Sequence, residues 1–153
     1  MKSIISFDEY KRLSNEKRFV FKVKAIRFKD DDCKRGYYIY PCIVLYEKEL
    51  NVPIFVTNYS KWVIDLQEDE KKENETLRKR AINVCKFLNF ILWETDVKAI
   101  NDVTTNIIRK FLIWVKDNDE KEICQETWDK CKNDVFNFLI RIYEDNKLTG
   151  GFS

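Results

Sequence analysis

Histidine is absent from this chain, and glycine, proline and methionine are scarce, at three, two and one residues among 153. Without histidine no Cys/His zinc site can form. The five cysteines, Cys33, Cys42, Cys85, Cys124 and Cys131, contain no Cys-x-x-Cys pair and no regular spacing, which leaves a Cys-only metal site little to rest on. So few glycines and prolines exclude collagen-like and low-complexity segments. The only adjacent glycines, Gly150 and Gly151, close the chain, so there is no phosphate-cradling loop of the Walker type. Long apolar runs are missing too. The stretch from Met1 to Glu9 lacks the apolar core of a signal peptide, and nothing approaches the length of a membrane-spanning helix. Reduced thiols in a reducing cytosol are the expectation, with no membrane partner, no small-molecule substrate, no metal and no cofactor.

Hydrophobic residues make up 44% and charged residues 35%, the balance of a foldable, water-compatible chain. Its length suits one ordinary domain or two small ones sharing an interface. Net charge is only +2, so any basic footprint for nucleic acid must be local.

The most regular stretch, Glu75 to Tyr143, reads as three helical segments. In the first, Thr76 to Trp93, apolar residues recur at Leu77, Ala81, Val84, Cys85, Leu88, Ile91 and Leu92, the spacing of one buried helix face. The second, Thr104 to Val115, carries Ile107, Ile108, Phe111, Leu112 and Val115. The third, from about Gln125 to Tyr143, carries Trp128, Cys131, Val135, Phe138, Leu139 and Ile142. Each stripe needs a partner, and the reading is that the three close on one another as a small bundle.

Ahead of them the period changes. Phe7, Tyr10 and Leu13 are at helical spacing in a short helix or ordered arm. From Arg18, Phe19, Phe21, Val23 and Ala25 alternate with Val20, Lys22, Lys24 and Ile26, a strand pattern rich in β formers. Lys29 to Gly36 is a turn-type cluster, Tyr37 to Tyr46 a second strand, Glu47 to Asn51 a turn and Val52 to Thr57 a third strand, together an antiparallel meander. Pro41 argues that the second strand is partly an edge or bent there. Tyr59 to Leu66 reads as a short helix. Residues 67–74 are almost wholly charged, either a linker or an exposed extension of the following helix.

The Thr-led helix ending in a bulky run (Thr76 to Trp93), the short helix introduced by Asp102-Val103-Thr104, and the Thr127 to Leu139 helix ending Phe-x-Phe-Leu follow in the order of the tyrosine recombinase, or phage integrase, family. This half of the chain resembles that family's SAM-like core-binding domain. The resemblance implies duplex DNA binding for site-specific recombination or integration, alongside other recombinase protomers on the DNA. It implies a bacterial or phage-encoded, nucleoid-associated protein. The family's catalytic Arg/His constellation and tyrosine nucleophile belong to a domain that would follow. None of the seven tyrosines here is assigned that role, and no catalytic residue is expected. The expected fold class is α+β: a small antiparallel β-rich module (1–67), a charged linker (68–75), a helical core-binding domain (76–147), and the start of a further linker (148–153).

Candidate DNA contacts follow from both halves. Away from the apolar stripe of the first helix lie Arg78, Lys79, Asn83 and Lys86, with Arg80 flanking and Thr76 as a candidate N-cap. Arg and Lys reach guanine edges or phosphates, and Asn can bracket adenine. The last helix offers Thr127, Lys130 and Asn133, with Trp128 read as a core anchor rather than a base-stacking residue. Thr76 and Thr127 are expected at helix starts, where free N–H groups can hold phosphate. Residues 1–37 hold eleven Lys and Arg against six Asp and Glu. Lys22, Lys24, Arg27, Lys34 and Arg35 are therefore arm-type candidates on the first hairpin, unless the sheet merely packs on the helices and carries lysines against edge aggregation. The rival function is a helical protein–protein interaction module, which the near-neutral charge suits. An enzyme is the weaker third reading. Asp30-Asp31-Asp32 could ligate a hard cation but reads as a turn.

Overall fold

The computed structural model describes residues 19–29, 31–32, 34, 36–62, 74–118 and 124–149. Strands β1 (Phe19–Lys29), β2 (Tyr37–Glu47) and β3 (Val52–Val56) form one antiparallel sheet in that spatial order. Helices α1 (Asn74–Glu94), α2 (Thr105–Asp117) and α3 (Gln125–Thr149) follow, with a 3-10 turn at Ile100–Asp102. The chain is α+β. The arm or helix expected from Phe7 to Leu13, and the charged stretch 67–73, lie outside the described residues.

The sheet owes its two faces to strict alternation. β1 and β2 pair from Phe19 with Glu47 to Lys29 with Tyr37, so odd-numbered residues share one face and even-numbered residues the other. Phe19, Phe21, Val23, Ile43 and Leu45 pack into the main core, while Val20, Cys42, Val44 and Tyr46 form a second, smaller cluster. The β2–β3 turn is held by the Glu47 carboxylate, which accepts from the Leu50 N–H at 2.7 Å. Asn51 there has φ 52°, a left-handed conformation that asparagine tolerates better than most residues.

Pro41 lies within the central strand, and hydrogen-bond parity explains how. Phe21 turns its N–H and carbonyl away from β2, toward the side chain of Asn89. In an antiparallel ladder this places every second residue of β1 in a non-hydrogen-bonded pair, Ala25 with Pro41 among them. The missing N–H of Pro41 therefore points toward the β3 side. β3 pairs with β2 only over Val44 to Glu47, so at Pro41 that side is an edge and no ladder bond is lost.

The helical stripes fall where their spacing puts them. Leu77, Ala81, Val84, Cys85, Leu88, Ile91 and Leu92 are all buried, as are Ile108, Phe111, Leu112 and Val115 of α2 and Cys131, Val135, Phe138 and Ile142 of α3. Phe87 and Phe90 are buried as well, with Phe87 against Phe111 at 5.1 Å and Phe90 against Phe111 and Trp114, both on α2. The three helices touch one another, α1 meeting α2 through these rings, α1 meeting α3 through Asn83 and Asp134, and α2 meeting α3 through Leu112 and Trp128, while α1 also packs on the sheet. One core runs from Phe21, Ile43 and Leu45 through Tyr59 and Trp62 to Leu88, Phe111 and Phe138. An aromatic cluster joins the layers: Tyr59 meets Phe21 at 6.2 Å and Phe138 at 5.7 Å, and Trp62 meets Phe138 edge-on at 5.9 Å.

Local signals fix the helix ends. Thr104 caps α2, its side chain accepting from the Ile107 N–H at 3.3 Å. α1 already includes Asn74 and Glu75, so Thr76 lies within the helix and is not its N-cap. Trp128 is half-buried and donates from Nε1 to the Leu112 carbonyl at 3.1 Å, anchoring α3 to α2, with Lys116 over its ring at 4.3 Å.

Candidate nucleic-acid interface

The β1–β2 ribbon outruns the core. Its Phe19–Val23 end packs on α1, whereas Lys24, Ala25, Arg27, Phe28 and Lys29 of β1 and Tyr38 and Ile39 of β2 are exposed. At ~3.3 Å per residue the exposed part of β1 extends for roughly 20 Å. It carries Lys24, Arg27 and Lys29, with Lys34 in the turn beyond, against Asp31 and Asp32. Arg27 lies over the Tyr37 ring with its guanidinium carbon 4.1 Å from the centroid, which orients the cation along the ribbon. Tyr38 and Tyr40 stack at 6.0 Å, and Phe28 leans on Tyr40 at 5.7 Å. Lys22 is different: its ammonium donates to Asn51 Oδ1 at 2.9 Å and lies 5.3 Å from the Tyr46 ring, so it serves the neighbouring turn. Arg35 lies outside the described residues.

The helical candidates separate into two groups. Lys79 and Lys86 are exposed and make no ion pair among the described residues. Arg78 forms a forked pair with Glu75, through Nε at 3.0 Å and Nη2 at 2.7 Å, and this holds the Glu75 carboxyl below its usual range. It also lines, with Lys86, a cleft of about 410 Å³ between α1 and β1. Arg80 and Asn83 turn to the seam with α3. Asn83 Nδ2 donates to Asp134 Oδ2 at 2.8 Å, and Arg80 approaches the same carboxylate at 3.7 Å.

Asp134 explains that arrangement. Burial pushes its carboxyl above the ordinary range, and the Asn83 hydrogen bond and the Arg80 charge act against that push. A half-buried carboxylate recruits the nearest donors. Asn83 and Arg80 therefore stabilise the α1–α3 joint, a role that helix periodicity alone could not separate from a DNA-facing one.

On α3, Thr127 is the third residue of the helix, its hydroxyl 3.0 Å from Cys124 Sγ. Lys130 is 3.4 Å from Glu126, with both side chains largely exposed, an i,i+4 pair that opens at little cost. Asn133 is exposed. The structure thus brings Lys24, Arg27, Lys29, Lys34, Lys79 and Lys86 to open surface and commits Asn83, Arg80 and Lys22 to internal contacts.

Sequence reasoning missed the residues that seal the sheet. Asn89 and Trp93 of α1 serve the outer edge of β1: Asn89 takes both backbone groups of Phe21, and Trp93 Nε1 donates to the Phe19 carbonyl at 2.9 Å. The available signal was Asn89 itself, a lone amide inside the apolar run Phe87 to Trp93. Ser60 and Thr57 serve Ile43 in the same way on the other side. Ser60 Oγ accepts from the Ile43 N–H at 2.9 Å, and Thr57 Oγ1 donates to its carbonyl at 2.8 Å.

Comparison of the chain with protein-family models, with curated proteins and with solved structures found no match. Among the described residues, no helix is long and apolar enough to cross a membrane.

Proposed function

We propose that this chain binds duplex DNA, with the exposed β1–β2 ribbon and the open cations of α1 as its contacts. The observation that carries this reading is the ribbon: two paired strands extending past the core, with Lys24, Arg27 and Lys29 along one of them and Lys34 at the tip. A two-stranded ribbon fits the ~12 Å width of a major groove, and lysines at its margins meet the phosphates on either side. Lys79 and Lys86 on α1 add sequence-independent attraction. Site-specific recombination, with this chain as the non-catalytic DNA-gripping part of an integrase-like tyrosine recombinase, is the process that the order of its helices suggests.

Fluorescence anisotropy of the chain against a labelled random duplex, across a salt series, tests the reading. Affinity should fall steeply as salt rises. No binding even at low salt overturns it. The rival reading, a protein-interaction module, draws on exposed apolar side chains: Leu50, Val52, Ile54, Phe55 and Val56 at the β3 edge. Capture of a protein that ignores added DNA would favour it.

A further inference from the structure

We infer that the outer edge of β1 takes up an extended acidic peptide from a partner protein as a fourth strand, seated in the cleft between β1 and α1. The backbone itself points there. Because Phe21 turns its N–H and carbonyl outward to Asn89, Val23, Ala25 and Arg27 turn theirs outward too, since the ladder alternates every second residue. Helix α1 satisfies this edge only at Phe19 and Phe21. Beyond them lies the cleft of about 410 Å³, lined by Val23, Ala25, Pro41, Ile82, Cys85 and Lys86 among others. No hydrogen-bond partner for the outward groups of Val23 or Ala25 is found among the described residues.

These are the two requirements of strand addition: donors and acceptors in register along an edge, and a pocket for alternate side chains of the incoming strand. Val23, Ala25 and Ile82 suit an aliphatic side chain. The opposite edge of the sheet differs, because Pro53 leaves β3 without an N–H at that position. No proline protects β1.

Charge selects the occupant. Lys86 in the cleft has no ion-pair partner among the described residues, and Lys24, Arg27 and Lys29 follow along the strand. The carboxylate of Glu75 nearby is already taken by Arg78. A second copy pairing through its own β1 would bring these cations against one another, whereas an acidic strand is complementary.

The probe is a capped, fluorescently labelled synthetic peptide of alternating valine and glutamate, titrated into the whole chain by anisotropy. Saturable binding is expected, weakened at least tenfold by Ala25→Pro. That substitution removes an outward N–H yet no bond to β2, because the Ala25–Pro41 pair is non-hydrogen-bonded. Lys86→Glu should weaken binding severalfold, and a valine–lysine peptide should not bind. Hydrogen exchange on the unaltered chain gives a second readout, independent of whether the proline variant folds: the Val23 and Ala25 amides should slow when the valine–glutamate peptide is added. Unchanged exchange at both amides overturns the proposal. So does undiminished peptide binding by a folded Ala25→Pro protein, or concentration-dependent dimerisation through this edge. Duplex affinity does not depend on the Ala25 N–H, so a failure here leaves the DNA reading standing.

Discussion

Asn89 pairs with the backbone of Phe21 as a strand residue would. Its Oδ1 accepts from the Phe21 N–H at 2.7 Å, and its Nδ2 donates to the Phe21 carbonyl at 3.0 Å. One side chain thereby closes part of an edge and fixes how α1 lies along β1. Asn89→Ala should cost about 2 kcal/mol, since two half-buried backbone groups lose their partners. The expected readout is a lower urea midpoint at unchanged slope. Asn89→Asp keeps the acceptor for the N–H but sets a carboxylate oxygen against the carbonyl, so it should not rescue stability at neutral pH.

Ser60 offers the parallel test at the other side of the sheet. Its hydroxyl serves the buried N–H of Ile43 at 2.9 Å. Ser60→Ala should cost about 1–3 kcal/mol, the penalty of a buried unsatisfied donor. Chemical denaturation measures it, and a change within error would mean that the sheet relaxes around the lost bond.

Asp134 makes stability depend on pH with a definite sign. Burial raises its carboxyl above the ordinary range despite Asn83 and Arg80, so the folded state binds the proton more tightly than the unfolded chain. The contribution is full below the unfolded value and is lost as pH rises through the folded one. Asp134→Asn, which keeps an acceptor for Asn83, should remove this component. The stability difference between the two proteins, followed by denaturation from acid to neutral pH, should move in favour of the variant as pH rises. A difference that stays flat would dismiss the role.

Thiol accessibility should divide the cysteines. Cys124 is exposed, and its hydrogen bond with Thr127 lowers its thiol below the usual range. Burial pushes Cys131 up to about 11 and raises Cys42 and Cys85 as well. Of these four, Cys124 should be alkylated first, and the other three should react only on unfolding. Peptide mapping after a short exposure to iodoacetamide checks this, and Cys124→Ser should leave no early label among these four positions.

For DNA binding, the positions of the side chains separate contacts from supports. Lys24→Ala and Lys79→Ala should each weaken duplex binding across sequences and lower the salt slope by roughly one. Asn83→Ala should leave that slope unchanged and lower stability through the Asp134 joint. The reverse pattern would return Asn83 to the DNA-facing side.

Much of the fold was legible because it is written in local periods. The alternation from Phe19 to Ala25 and from Tyr38 to Tyr46 announced strands, and the stripes of α1, α2 and α3 named most of their buried residues. Phe87 and Phe90 were missed, and Ile107, Trp128 and Leu139 are only partly buried. Pro41 was legible too, since a missing N–H forces an edge. The neighbours of a helix are not a local property. The stripe of α1 required burial, yet nothing in its period said whether sheet or helix would supply it, and the structure supplies both, since α1 packs on α2 and α3 and on β1 and β2. For the same reason Arg80 and Asn83 looked equivalent to Lys79 and Lys86. Only the approach of α3, with Asp134 half-buried opposite them, turned two of the four inward.

The sequence by itself determined the elements, their buried faces and the exclusion of histidine chemistry, because these rest on residue type and spacing along the chain. The tertiary structure decided which polar side chains are spent on holding elements together and which backbone edge stays open. Those outcomes depend on distances between residues far apart in sequence. Asn89 reaches Phe21 across 68 positions and Asn83 reaches Asp134 across 51, separations over which no pattern of residues fixes a contact.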